Sequence, residues 1–126
     1  MKSWLTPVFL LAAILAASAL NCHATKQNVT RWQGQLETAE AEAAAGNWDG
    51  AKVALSQSYD DWSSRQTYLH ITTEHDAVDS ADAMYRRCAA FAAEKEPSEF
   101  RAELTGLKHQ LWLLVEMERF SIKNIL

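Results

Sequence analysis

Cysteine is scarce in this chain. Cys22 and Cys88 are its only two, too few for a disulfide framework. Positive charge is also in deficit: twelve Lys and Arg face sixteen Asp and Glu, giving a net charge of -4 and a pI near 5.5. No Lys/Arg cluster with interleaved aromatics appears, so the composition argues against a nucleic-acid partner. The Glu37, Glu40 and Glu42 group reads as a solvated helix face. Runs of alternating β-branched residues are missing, which argues against a sheet. So are the signatures of common chemistries: Cys-x-x-Cys-His, phosphate loops, dinucleotide fingerprints, Gly-x-Ser-x-Gly and the Glu-x-x-His of di-iron bundles. No nucleophile, base and orienting group line up as covalent or acid–base chemistry requires. The expectation is a non-enzymatic protein with no cofactor and no metal.

What is present begins at the N-terminus. Lys2 leads into seventeen mostly apolar residues, Trp4 to Leu20, interrupted by Thr6, Pro7 and Ser18. A spanning helix needs ~20 apolar residues, with ~17 near the lower limit. A secretory signal has a core of ~7–15 residues before a small-x-small cleavage site. Ala17-Ser18-Ala19 fits that site and Cys22-His23-Ala24 fits it less well. An uncleaved anchor and a cleaved signal both stand. A lipid anchor on Cys22 is disfavoured by Asn21 before it and Ala19 where Leu is usual. Lys2 on one flank and Lys26 and Arg31 on the other nearly cancel under the positive-inside rule. The short leading tail tips the expectation toward a body outside the cytoplasm. Residues 1–24 are thus the signal-anchor or signal peptide and 25–126 one helical domain, the size of a single core. Asn28-Val29-Thr30 matches a glycosylation acceptor, which matters only in a eukaryotic secretory pathway.

Beyond residue 25 the pattern is helical throughout, rich in Ala, Glu, Leu, Gln and Arg. The first stretch, about 27–45, carries Val29, Trp32, Leu36, Ala39 and Ala43 at spacings of three and four, and Gly46-Asn47 ends it. The second, from Trp48 or Asp49 to about 67, has the stripe Ala51, Leu55, Tyr59 (or Ser58) and Trp62. The third begins near Thr73, which forms a capping box with Asp76. Its stripe is His75, Val78, Asp82 (or Ala81), Tyr85, Cys88 and Phe91, and Pro97 stops it. The fourth, Ser98 to about 123, shows Phe100, Leu104, Leu107, Leu111, Leu114 and then Glu118. No Gly or Pro separates the second and third stretches, and Ile71-Thr72-Thr73 is the expected break. Short connections then give an all-α fold: an N-terminal hydrophobic helix followed by an antiparallel up-down-up-down four-helix bundle. No internal repeat is visible.

If the last two helices turn near Glu96, His75 and Glu118 become neighbours, each where its stripe reserves an apolar place. Asp79, one helical turn from His75, joins them as a candidate buried polar layer. Such a layer has three readings: a satisfied pair that fixes register, plain exposure at the bundle end, or a proton-responsive, ligand or metal site. The candidate core aromatics are Trp32, Trp62, Tyr85, Phe91 and Phe100, with Trp62 expected near Trp32. Cys88, on an apolar stripe, reads as a small buried hydrophobe.

Four features together resemble a known family: the N-terminal apolar segment, Gly46-x-Trp48-x-x-Ala51, Trp62 followed by His75 and Asp79, and the ending Glu118 to Leu126 with Asn124-Ile125-Leu126. They are similar to the small bacterial membrane-anchored proteins grouped as the domain of unknown function 4363 family. That resemblance implies a topology and no activity. The chain is expected in the membrane through residues 4–20, single-pass, with its body outside the cytoplasm and a protein partner in the membrane or envelope. The alternative is a cleaved, soluble extracytoplasmic bundle that binds a ligand or metal through the His75–Glu118 layer.

Overall fold

Nothing between Leu5 and Ala44 stops a helix. Pro7 sits in the first turn, where a backbone N–H has no intrahelical acceptor to lose, and Gly34 is the lone glycine. The computed structural model describes residues 3–65 and 75–125, with the side chains of 21, 75 and 118–125 outside that description. In it the chain is all-α, and the described residues form four helices: α1 (Leu5–Ala44), α2 (Trp48–Ser63), α3 (His75–Ala93) and α4 (Pro97–Ile125). The hydrophobic helix and the first bundle helix, expected as separate elements, are therefore one helix of 40 residues. The polar residues 21–26 change its surroundings without breaking its backbone.

Two halves of α1 meet different environments. Leu5, Val8, Phe9, Leu10, Leu11, Ile14 and Leu20 are exposed, and none of its most apolar window is buried. Thr25 is the first buried residue among those described, and from it Val29, Trp32, Leu36, Ala39 and Ala43 run inward at alternating steps of four and three. Half-buried Leu15, Ser18 and Cys22 continue that stripe backward into the apolar half. The seam is that of a coiled coil, carried without interruption across the change of environment.

Both described turns are built alike. After α1 the N–H of Gly46 bonds the Ala43 carbonyl and that of Asn47 the Glu42 carbonyl; after α3 Lys95 bonds Ala92 and Glu96 bonds Phe91. These are Schellman pairs, which need a left-handed residue at the centre. Gly46 supplies it at φ 81° and Lys95 at φ 54°. Asn47 then caps α2 by accepting from the Gly50 N–H at 3.1 Å, while its amide donates to Glu42 Oε2 at 2.5 Å. A Cβ on Gly50 would lie 2.6 Å from that amide nitrogen, so a side chain there would require the Asn47 amide and the Glu42 carboxylate to shift. Pro97, expected to stop α3, instead opens α4 as its first residue, the helical position that tolerates proline best.

One apolar cluster joins the four helices. α1 packs on α2 and α4, α3 packs on α4, and α2 meets α3 less extensively. The expected stripes lie inside, with two refinements: Ser58 is buried and Tyr59 half-buried, and Ala81 is buried while Asp82 is half-buried. The expected break at Ile71–Thr73 and the Thr73 end of the capping box lie outside the described residues.

Burial also reveals a repeat. Adding 49 to nine of the buried positions of α1 and α2 gives a buried position of α3 or α4: 29 and 78, 32 and 81, 36 and 85, 39 and 88, 43 and 92, then 51 and 100, 55 and 104, 58 and 107, 62 and 111; Ala54 instead maps onto half-buried Glu103. The turns correspond as well, Gly46 with Lys95 and Asn47 with Glu96. Side-chain volumes are exchanged rather than kept, as in Trp32 against Ala81 and Ala51 against Phe100.

The equivalence of the turns generates a paired expectation. Lys95→Gly should stabilise the protein by about 0.5–1 kcal/mol by removing the steric cost of a Cβ at positive φ, and Gly46→Ala should destabilise it by about 1–2 kcal/mol. Urea midpoints for the two variants check this; shifts of the same sign would contradict the turn geometry.

Candidate functional site

Ser58 is the one buried polar residue of α2, and it lies where three helices meet. Its hydroxyl is 3.2 Å from the Trp32 carbonyl on α1 and 2.8 Å from the Tyr85 hydroxyl on α3. A serine has one proton to give. Because the carbonyl can only accept, Ser58 donates to Trp32 and Tyr85 donates to Ser58. The order of the chain is thereby fixed: phenol to hydroxyl to carbonyl.

Aromatic rings enclose it. Tyr85 lies 5.2 Å from Trp62 and 5.4 Å from Tyr59, edge-on to the latter, and Tyr59 lies 5.9 Å from Trp62. These spacings are those of favourable aromatic pairs. The Tyr59 hydroxyl donates to Asp82 Oδ1 at 2.9 Å, and Arg86 Nε donates to Asp82 Oδ2 at 2.7 Å. That bond to Asp82 raises the Tyr59 pKa, and burial raises that of Tyr85, so both phenols stay protonated donors. Arg31 of α1 clamps Asp61 of α2 through Nε and Nη2 at 2.5 and 2.8 Å, holding the carboxylate below its usual range. The Trp32 indole N–H is also near Asp61 but lacks hydrogen-bond geometry, and both it and the Trp62 N–H are buried without an acceptor among the described residues.

Chemically this layer holds protons in place. Ser58 gives its proton to a backbone carbonyl, not to a base, so none of the described residues activates it as a nucleophile. Cys88, buried beneath α3, has its thiol pushed up to about 12 by burial, far from the thiolate that reacts. Cys22 and Cys88 are both free thiols. Among the described residues no three His, Cys, Asp or Glu side chains gather as a metal would require.

The expected polar layer needs one correction. Asp79 is exposed, not buried, because Ala77, Val78 and Ala81 take the inward stripe of α3 and residue 79 falls ~100° beyond Val78. The side chains of His75 and Glu118 lie outside the described residues. Of the candidate core aromatics, Trp32, Trp62, Tyr85 and Phe100 are buried and Phe91 is half-buried against the core. Trp32 and Trp62 both belong to that cluster, and Ser58 is the buried polar link between their helices, with the Arg31–Asp61 pair at the surface. Sequence reasoning missed the clamp of Arg31 on Asp61 and the central role of Ser58. The serine's place in an apolar stripe was the available signal.

The family described as domain of unknown function (DUF4363) matches residues 20–125, and the chain belongs to it. No curated protein and no solved structure matches the chain.

Two expectations follow from the layer. Ser58→Ala leaves the Tyr85 hydroxyl buried without its acceptor and should cost about 1–3 kcal/mol, whereas Tyr85→Phe leaves Ser58 with its carbonyl and should cost about 1 kcal/mol. The double variant should be more stable than Ser58→Ala alone; additive losses in chemical unfolding would overturn the bond between the two hydroxyls. Acid tests the clamp. Because the Asp61 pKa is lowered in the folded state, its contribution is present above the ordinary aspartate value and is lost as pH falls through the folded one. Asp61→Asn should therefore flatten the acid limb of stability against pH, by no more than about 1 kcal/mol for so exposed a pair.

Proposed function

We propose that this DUF4363 chain is a membrane-tethered, extracytoplasmic, non-enzymatic helical bundle that binds or supports another membrane protein. One observation carries the reading: a single unbroken helix is exposed and apolar at one end and lines the core at the other. The segment 5–24 measures ~30 Å at ~1.5 Å per residue, about the thickness of a bilayer's hydrocarbon core. A tether of this kind is stiff. It carries the body at a set distance and angle, which suits a support more than a mobile enzyme domain.

In this reading the four helices run up, down, up and down. Paired contacts support that order, since one residue number rises as the other falls: Gln33 with Lys108 and Glu40 with Arg101 between α1 and α4, Ala77 with Gln110 and Arg87 with Glu103 between α3 and α4. Both turns then sit at the end far from the membrane, where Trp48 meets Phe100 edge-on at 5.5 Å. The α4 C-terminus returns toward the membrane.

A second reading has its own support. The family match begins at Leu20, directly after Ala17-Ser18-Ala19, where a signal peptidase would cut. The mature protein would then be a soluble extracytoplasmic bundle binding a ligand or metal near His75 and Glu118.

Intact mass of the protein purified from its own cells separates the two. The tether predicts a mass that includes the apolar segment, with the protein held in carbonate-washed membranes; a mature start at Leu20 or Thr25 overturns it in favour of the soluble form. A C-terminal alkaline phosphatase fusion should be active and a fluorescent-protein fusion functional only in the cytoplasm should be dark. The opposite pattern would reverse the orientation.

A further inference from the structure

The 49-residue correspondence turns the molecule into its own comparison. Two grooves flank it at equivalent places. One, about 570 Å³, lies between α1 and α4 and is lined in part by Glu37, Glu40, Ala44 and Arg101. The other, about 440 Å³, lies between α3 and α2, where the equivalent positions are Arg86, Ala89, Ala93 and Lys52. The contacts beneath also correspond: Gln33 with Lys108 in the first, Asp82 with Tyr59 in the second.

The grooves differ in one respect that has chemical consequences. In the first, Glu40 bridges the helices, bonding Lys108 at 3.2 Å and pairing with Arg101 at 3.4 Å. In the second, alanine stands at the position of Glu40, and the cation is Lys52. Lys52 has no carboxylate partner among the described residues, and the neighbouring Arg86 is engaged by Asp82. The second groove thus keeps the cation and the apolar floor, made by Leu55, Ala89 and Ala93, and lacks the carboxylate.

We propose that the α2/α3 groove binds a small monocarboxylate with an apolar body, its carboxylate taking the place at Lys52 that Glu40 takes at Arg101. Size decides between a small molecule and a partner helix. A groove of 440 Å³ bounded by eight residues falls within the ~300–1,000 Å³ of small-ligand sites, which are apolar with a few placed polar groups. A stable protein interface needs about 1,000 Å² of buried surface, and a recess two helical turns long does not offer it. Small side chains at 89 and 93 leave room for the apolar body, and Tyr59, its hydroxyl committed to Asp82, also lines the groove. The site does not depend on whether the N-terminal segment is kept or cleaved.

Octanoate is the probe. It is titrated into the full chain in nanodiscs of zwitterionic lipid, read by the ¹³C-methyl resonances of Ala89 and Ala93, with octanol as the uncharged control. Saturable shifts at these two methyls with octanoate and not with octanol are expected. Lys52→Gln should weaken binding at least tenfold. Ala89→Glu, which restores the missing carboxylate, should abolish it while leaving thermal stability unchanged or higher. Arg101→Gln in the other groove should bind as wild type does. Absent or unsaturable shifts, equal shifts with octanol, or undiminished binding by Lys52→Gln or Ala89→Glu would each overturn the proposal.

Discussion

The continuity of α1 is the constraint on which the rest of the structure depends. One helix serves two environments, and it does so by keeping a single spacing. Thr25, Val29, Trp32, Leu36, Ala39 and Ala43 face the core, and the same steps of three and four run back through Cys22, Ser18 and Leu15. Changing the partner of a helix without changing its period requires only that the outward faces change composition. They do: the faces that carry Phe9, Leu10 and Ile14 in the first half carry Glu37, Arg31 and Glu42 in the second. A break between the halves would have uncoupled the body from whatever the apolar end contacts. No residue in the 21–26 region imposes one.

The core shows why a repeat in space need not be a repeat in sequence. Close packing conserves total volume across facing positions, not the volume at each. Where the first pair of helices has Trp32 and Ala51, the second has Ala81 and Phe100, so a large residue of one half stands at the place of a small one in the other. Of the nine equivalent buried pairs only Val29 with Val78, Ala43 with Ala92 and Leu55 with Leu104 are identical. The turns hide their likeness in the same way. A left-handed position is filled by glycine in one and by lysine in the other, at a steric cost the second turn bears.

That pattern also explains what could be read in advance. The helices and most of their inward stripes follow from apolar spacing, because Leu, Val and Trp at three- and four-residue steps leave a helix only one face to bury. Spacing leaves ties between adjacent positions, and the ties went to packing: Ser58 lies inside while Tyr59 keeps its hydroxyl at the rim for Asp82. Asp79, expected in the polar layer because it lies one helical turn from His75, is exposed, since the inward direction of α3 runs through Val78 and Ala81. Pro97, expected to stop α3, opens α4, because proline suits the first position of a helix as well as the place beyond its end. Contacts between distant residues, such as Arg31 with Asp61, leave no local signature at all.

A buried serine among aromatics is an uneconomical way to fill space, and its geometry indicates what it achieves. Apolar stripes alone permit helices to slide by a turn, because Leu and Ala interdigitate equally well in neighbouring registers. Ser58 does not slide. It needs the Trp32 carbonyl on one side and the Tyr85 hydroxyl on the other, and a shift of one turn, ~5.4 Å, would strand two buried hydroxyls. The seam between α2 and α3 has fewer packed contacts than the others, and it is here that the polar pairs Ser58 with Tyr85 and Tyr59 with Asp82 concentrate. The α1/α4 seam is instead locked by Glu40 on Lys108 and Arg101. Specific hydrogen bonds therefore hold register where packing is thin, which leaves α2 and α3 able to keep a groove open between them without losing their alignment.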